Sequence, residues 1–214
     1  MSAEVRVAVV GAGALGCALL PRILGSRITE LWLIDGDRVE AGNLERQALY
    51  TGSDIGQAKS ATARDWLASA VPAIKVFAHD RFLDAANARD LIRGVHLVAD
   101  CTDDLHAKEL LDRVCADLGI PLVSGSVHQQ QGQMIVLHAP GVNAHLRRCD
   151  LFTGGRIGGE QDGCDMQRVP SDVIEAVGQR MADSIQEFLH GGSLANGCIG
   201  LYDRTVWTSI EAPR

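Results

Sequence analysis

The sequence predicts an α/β fold, a mostly parallel sheet with helices on both faces and an antiparallel C-terminal extension. Three observations carry that expectation. Short apolar runs alternate with longer helical stretches from residue 5 to residue 124, the spacing of successive strand–helix–strand units. The first run, VRVAVV at 5–10, passes directly into glycine-rich GAGALG, as a buried parallel strand feeding a helix would. Past Gln131 the pattern changes, and GQMIVLHA reads as a strand running antiparallel. The 214 residues supply one sizeable core and not two, so 1–214 is read as a single domain.

The elements follow in order. Strand one is 5–10, and the helix after it covers Ala14 to Leu24, with Pro21 close enough to its end to kink or stop it. Strand two is Glu30 to Ile34. A helix from Gln57 to Ala70 puts Trp66, Leu67 and Val71 on one face, and AIKVFA at 73–78 is the third strand. LIRGVHLVADCTDD gives a helix end, a turn and a fourth strand, Val95 to Ala99, which runs into acids. Helix 105–118 and strand 121–124 repeat the alternation. Residues 140–171 are rich in glycine and polar residues with little periodicity, a long crossover loop of the kind that is functional or disordered. A helix from Asp172 to Leu189, with Ser171 as its N-cap, and short strands at 198–202 and 205–210 finish the chain.

Net charge is −7, which disfavours a nucleic-acid backbone as a general partner. No apolar run approaches the roughly 18 residues a membrane span needs. The opening MSAEVRVAVVGAG has neither a basic leader region nor a cleavage site. The six cysteines lack CxxC spacing and read as reduced thiols, so a cytoplasmic protein is expected. Cys17, Cys101 and Cys115 read as packing residues.

Gly11, Gly13 and Gly16 satisfy G-x-G-x-x-G between a strand and a helix, the signature of a Rossmann-like turn. Such glycines permit a tight turn and close approach of backbone to phosphate, and the helix N-terminus favours the anion. Asp35, at the tip of the second strand, can accept ribose hydroxyls. Together these indicate an adenine nucleotide without distinguishing NAD, FAD and ATP. Arg46 and Lys59 add two cations within reach of phosphates at the turn. Asp103, after the fourth strand, falls at the carboxyl edge of the sheet, where a carboxylate beside a triphosphate is a natural Mg²⁺ ligand. Two cations, a metal-binding acid and a glycine turn make a site for nucleotidyl transfer.

GAGALGC, LIDGDRVEAGNLERQ, DIGQAKS and DCTDD resemble, in order and spacing, the MoeB/ThiF/HesA family, bacterial relatives of ubiquitin-activating E1 enzymes. The resemblance covers nearly the whole chain, and Asn-Leu-x-Arg-Gln after an Asp-x-Asp strand is its most specific motif. It implies binding of Mg-ATP and adenylation of the C-terminal glycine carboxylate of a ubiquitin-like sulfur carrier with a Gly-Gly tail, releasing pyrophosphate. On this resemblance Asp35 binds ribose and Arg46 and Lys59 contact phosphates. Asp37, Asn43 and Gln47 belong to the ATP pocket, and Asp103 is the magnesium ligand, although the family's Asp-Asn is Asp-Asp here. Cys164, in CDMQRVPSDVIEAVG, matches a cysteine that some members use to capture the activated carrier. Its place in a loop suits a reactive thiol.

The resemblance also implies a homodimer and a separate sulfur donor such as a cysteine desulfurase, since no rhodanese domain follows. Many relatives hold zinc with two CxxC pairs. Here the first reads Leu146-Arg147-Arg148-Cys149 and the sequence ends before a second, so no structural zinc is expected and Cys149 reads as a stranded thiol. The N-terminal helix whose arginine reaches the partner's ATP has no counterpart; another arginine, weak turnover or a different dimer would follow. Three rivals stand beside adenylation of a carrier. They are an NAD-dependent oxidoreductase using Gly11 to Gly16 and Asp35, a non-catalytic E1-like binding subunit, and an adenylating enzyme acting on a modified tRNA base. The pathway, whether thiamine, molybdopterin or another sulfur product, stays open.

Overall fold

A computed structural model of the chain describes residues 4–25, 27–152 and 169–211. Eight strands form one sheet in the order β3-β2-β1-β4-β5-β6-β7-β8. The strands are β1 Arg6–Val10, β2 Glu30–Ile34, β3 Lys75–His79, β4 Leu97–Asp100, β5 Leu122–His128, β6 Gln131–Leu137, β7 Cys198–Tyr202 and β8 Trp207–Glu211. The first five are parallel, and β6, β7 and β8 are antiparallel. The helices are α1 Ala14–Ile23, α2 Lys59–Ala70, α3 Ala88–Ile92, α4 Leu105–Leu118, α5 Arg148–Leu151 and α6 Ser171–Leu189.

Two apolar layers sandwich the sheet. Val7 and Val9 of β1 face one layer with Leu19, Leu67, Val177 and Met181; Ala8 and Val10 face the other with Ile92, Leu111 and Cys115. Covering both faces is what turns the central strands into continuous apolar runs rather than alternating ones. The long helix α6 lies against α1, β5 and β6. Gly178 makes the contact with α1 possible, because a Cβ there would stand 2.7 Å from the Cβ of Ala18. Beyond β6, Asp112 of α4 holds the chain: His138 Nε2 lies 2.8 Å and Arg147 Nε 3.0 Å from its carboxylate. Burial alone would raise that carboxyl, but these two partners outweigh it and hold it below the ordinary aspartate value.

Element boundaries depart from expectation where pairing or sterics intervene. Pro21 falls in the last turn of α1, which stops at Ile23. Helix α2 starts at Lys59 rather than Gln57, because Val39 donates to the Gln57 carbonyl and Arg38 bridges Ala58 in extended form. β5 continues past Ser124 to His128, zipped to β6 from Leu122↔Leu137 to His128↔Gln131. Ser171 is not the N-cap of α6: Pro170 occupies that place, and Ser171 begins the helix. Pro170 suits the junction because its ring fixes φ and an N–H is not needed there. Part of the predicted crossover loop is ordered as α5, and 153–168 lie outside the described residues.

Candidate active site

The strand order reverses at β1: β2 and β3 lie on one side of it, β4 and β5 on the other. Chains leaving the carboxyl ends of β1 and β4 diverge there, the place where open α/β sheets hold ligands. A cleft of about 760 Å³ opens at this point. It is lined by Gly11, Gly13, Asp35, Asp37, Asn43, Arg46, Gln47, Lys59 and Asp103, so nine residues named from the sequence share one cavity. Gly16 lies behind them, packed so closely on the Gly11 backbone that a Cβ would collide with its carbonyl oxygen. Cys164 is outside the described residues.

The glycine turn is held from three directions. Gly11 adopts φ +92°, and a Cβ there would meet the Cys101 carbonyl oxygen at 2.8 Å. Asp35 Oδ2 accepts from the Ala12 N–H at 2.6 Å, and the Tyr50 hydroxyl donates to the Ala12 carbonyl at 2.7 Å. The first-turn N–H groups of α1 remain to face an anion at Gly13, Ala14 and Leu15. Asp35 Oδ1 accepts from the Asp37 N–H at 2.7 Å. Burial raises the Asp35 carboxyl above its ordinary value, against the pull of those two N–H groups.

Cations face the carboxylates across the cleft. Lys59, buried in the first turn of α2, reaches Asp37 at 3.0 Å. Asp37, half-exposed and lining the cleft, is thus paired with Lys59 there. Arg46, from a 3-10 helix over Ala41–Arg46, donates from Nη2 to Asn43 Oδ1 at 2.9 Å. Its Nε is buried without a partner, as is Gln47 Oε1 beside it. Both residues line the cleft, although these two atoms are themselves closed off from it, and leaving such atoms unpaired is costly. Asp103 stands exposed on the opposite wall. No cluster of three metal-ligating groups exists among the described residues. A magnesium ion there would need oxygens from a phosphate, which is how that ion is ordinarily held.

Several lining residues had escaped the sequence reading. Arg81 and the 66% exposed Phe82 close the cleft beyond Gly36. Lys108 lies in its floor, paired with Asp100 at 3.0 Å. The available signal was a charge inside an apolar stripe, since Lys108, Leu111 and Cys115 share the buried face of α4. The three packing thiols are buried, and burial raises Cys17 to about 12 and Cys101 and Cys115 higher still, so they are unreactive; Cys149 is exposed and free.

The ThiF family matches residues 2–204, nearly the whole chain. The chain belongs to the ThiF family. This ThiF-family chain is 35% identical over 202 residues to the molybdopterin-synthase adenylyltransferase of Salmonella typhimurium, covering 94% of this chain and 79% of that one. It is 33% identical over 200 residues to the sulfur carrier protein adenylyltransferase of Thermus thermophilus, covering 92% and 74%. Among solved structures, E. coli MccB superposes with a TM-score of 0.79 at 17% identity, and PaaA with 0.75 at 20%. Both share the fold over 97–98% of this chain, which spans 63% of each of those longer chains.

Proposed function

We propose that this ThiF-family chain adenylates the C-terminal carboxylate of a ubiquitin-like sulfur carrier protein, using ATP and releasing pyrophosphate. One observation carries the reading: Arg46, Gln47 and Lys59 line one cleft with the glycine turn, Asp35 and Asp103. The ThiF-family relatives, named for adenylation of molybdopterin synthase and of a sulfur carrier, support the same chemistry.

In this reading Asp35 accepts the ribose hydroxyls and the N-terminus of α1 takes phosphate oxygens. Arg46, held by Asn43 through Nη2, offers its guanidinium to phosphate. Lys59 shares its ammonium between Asp37 and the triphosphate, and Asp103 supplies a carboxylate for magnesium. Magnesium, when bound, would neutralise charge on the phosphate oxygens as pyrophosphate departs. A carrier carboxylate oxygen forms a bond to the α-phosphorus, the bond from that phosphorus to the bridging oxygen of pyrophosphate breaks, and the electron pair leaves with pyrophosphate. A sulfur nucleophile, on a donor such as a cysteine desulfurase or on Cys164 as the candidate thiol for a covalent relay, then attacks the acyl carbon, and the bond from that carbon to the phosphate oxygen breaks with release of AMP. A Gly-Gly tail on the carrier, a homodimeric assembly and a cytoplasmic setting complete the proposal. Among the described residues no helix is long and apolar enough to cross a membrane.

Pyrophosphate exchange into ATP, dependent on an added ubiquitin-like carrier, tests it. Arg46→Ala should lower exchange by about 10²-fold or more, the cost of removing one donor to developing charge, with the far-UV spectrum unchanged. Undiminished exchange would take Arg46 out of the mechanism.

A further inference from the structure

Beneath the cleft, Asp100 and Lys108 form a buried ion pair, 0% and 5% exposed at their side chains, to which the reaction outlined above gives no task. Asp100 accepts from Thr102 N at 3.0 Å and Thr102 Oγ1 at 2.7 Å through Oδ1. Its Oδ2 accepts from Ser124 Oγ at 2.6 Å and Lys108 Nζ at 3.0 Å. Lys108 also donates to the Gly125 carbonyl at 2.7 Å. One ammonium thus joins the tip of β4, the first turns of α4 and the middle of β5.

Burying such a pair is no cheap source of stability, because desolvation offsets the attraction and apolar replacements often serve as well. What the pair does achieve is position. The chain between its members is the β4–α4 turn that carries Asp103. Thr102, on one side of Asp103, is fastened to Asp100. Asp104, on the other side, caps α4 by accepting from the Ala107 N–H at 2.9 Å. The backbone of Asp103 is clamped from both sides while its carboxylate stays exposed in the cleft.

We infer that Lys108, acting through Asp100 and Thr102, is a positioning residue that fixes Asp103 so that its carboxylate and the nucleotide phosphates can share one magnesium ion. The inference rests on the adenylation reading and adds a residue pair to it. Lys108 lies in the cleft floor, but its ammonium is engaged with Asp100 and the Gly125 carbonyl, so the pair acts by holding the turn in place.

The test is calorimetric titration of the full chain with ATP at stepped Mg²⁺ concentrations, in wild type, in the double variant Lys108→Met/Asp100→Asn and in Thr102→Val. The double variant removes both charges together, so no unpaired ion is left buried. Thr102→Val removes one hydrogen bond to Asp100 and loosens the same turn while leaving both charges in place. The magnesium concentration for half-maximal enhancement of ATP affinity should rise about 10-fold or more in the double variant, the usual effect of losing a group behind a metal ligand. It should rise in the same direction and by less in Thr102→Val, while ATP affinity without metal stays that of wild type in both. A purely structural role would lower the melting temperature and leave the magnesium dependence alone. Magnesium curves that overlay wild type in Thr102→Val and in any folded double variant would overturn the inference. A wild type whose ATP binding ignores magnesium would instead overturn the reading of Asp103 beneath it.

Discussion

Asp35 is asked to hold a turn and to receive a ligand with the same carboxylate. Burial raises it above the ordinary aspartate value, with hydrogen bonds from Ala12 and Asp37 pulling the other way. A folded-state value above the unfolded one means that its contribution to stability declines as pH rises through the ordinary value of about 4 toward the raised one. Ribose recognition has the opposite sign, since only the ionised carboxylate accepts from two hydroxyls. ATP affinity is therefore expected to fall on acidification at a higher pH than an ordinary aspartate would give. Asp35→Asn, which keeps one acceptor for the turn, should bind more weakly and lose that acid limb. Affinities measured from about pH 4 to 7 would show it, and identical profiles for both proteins would remove Asp35 from nucleotide recognition.

At the scale of elements, α6 is the piece that closes the fold, and it does so by close approach. Gly178 meets Ala18 of α1 where no side chain fits, and a Cβ on Gly125 of β5 would strike Met181 of α6. Gly178→Val should therefore cost about 1–3 kcal/mol through overpacking, read as a lower denaturation midpoint in urea. A midpoint equal to that of wild type would mean α6 can shift outward freely. Most strands and helices were legible because their signals are local: apolar runs, a glycine turn, the acid-capped start of α4. The rest is set by partners. β5 extends to His128 only because β6 folds back on it, and α2 loses its first residues to an extended pairing with Arg38 and Val39. Ser171 resembled a cap by composition, yet Pro170 took the place by its fixed φ.

For the whole molecule, topology turns scattered sequence motifs into a site. Asp35, Arg46, Lys59 and Asp103 are far apart in sequence and meet because β1 lies where the strand order reverses. Asp35 and Asp103 could be found from the sequence because each follows a strand tip, and Arg46 and Lys59 because they sit in the motifs NLERQ and DIGQAKS. Lys108 offered only the signal of a charge inside the apolar stripe of α4, and its pairing with Asp100 becomes recognisable only after the helix docks. Asp37 was read as a pocket residue and lines the cleft; its pairing with Lys59 becomes visible only once α2 is in place. We propose that this cleft takes Mg-ATP and not a dinucleotide. Calorimetric titration of the purified chain with ATP plus Mg²⁺, and separately with NAD, tests it most directly. Magnesium-dependent binding of ATP and none of NAD is the expected result; binding of NAD without ATP would overturn the proposal.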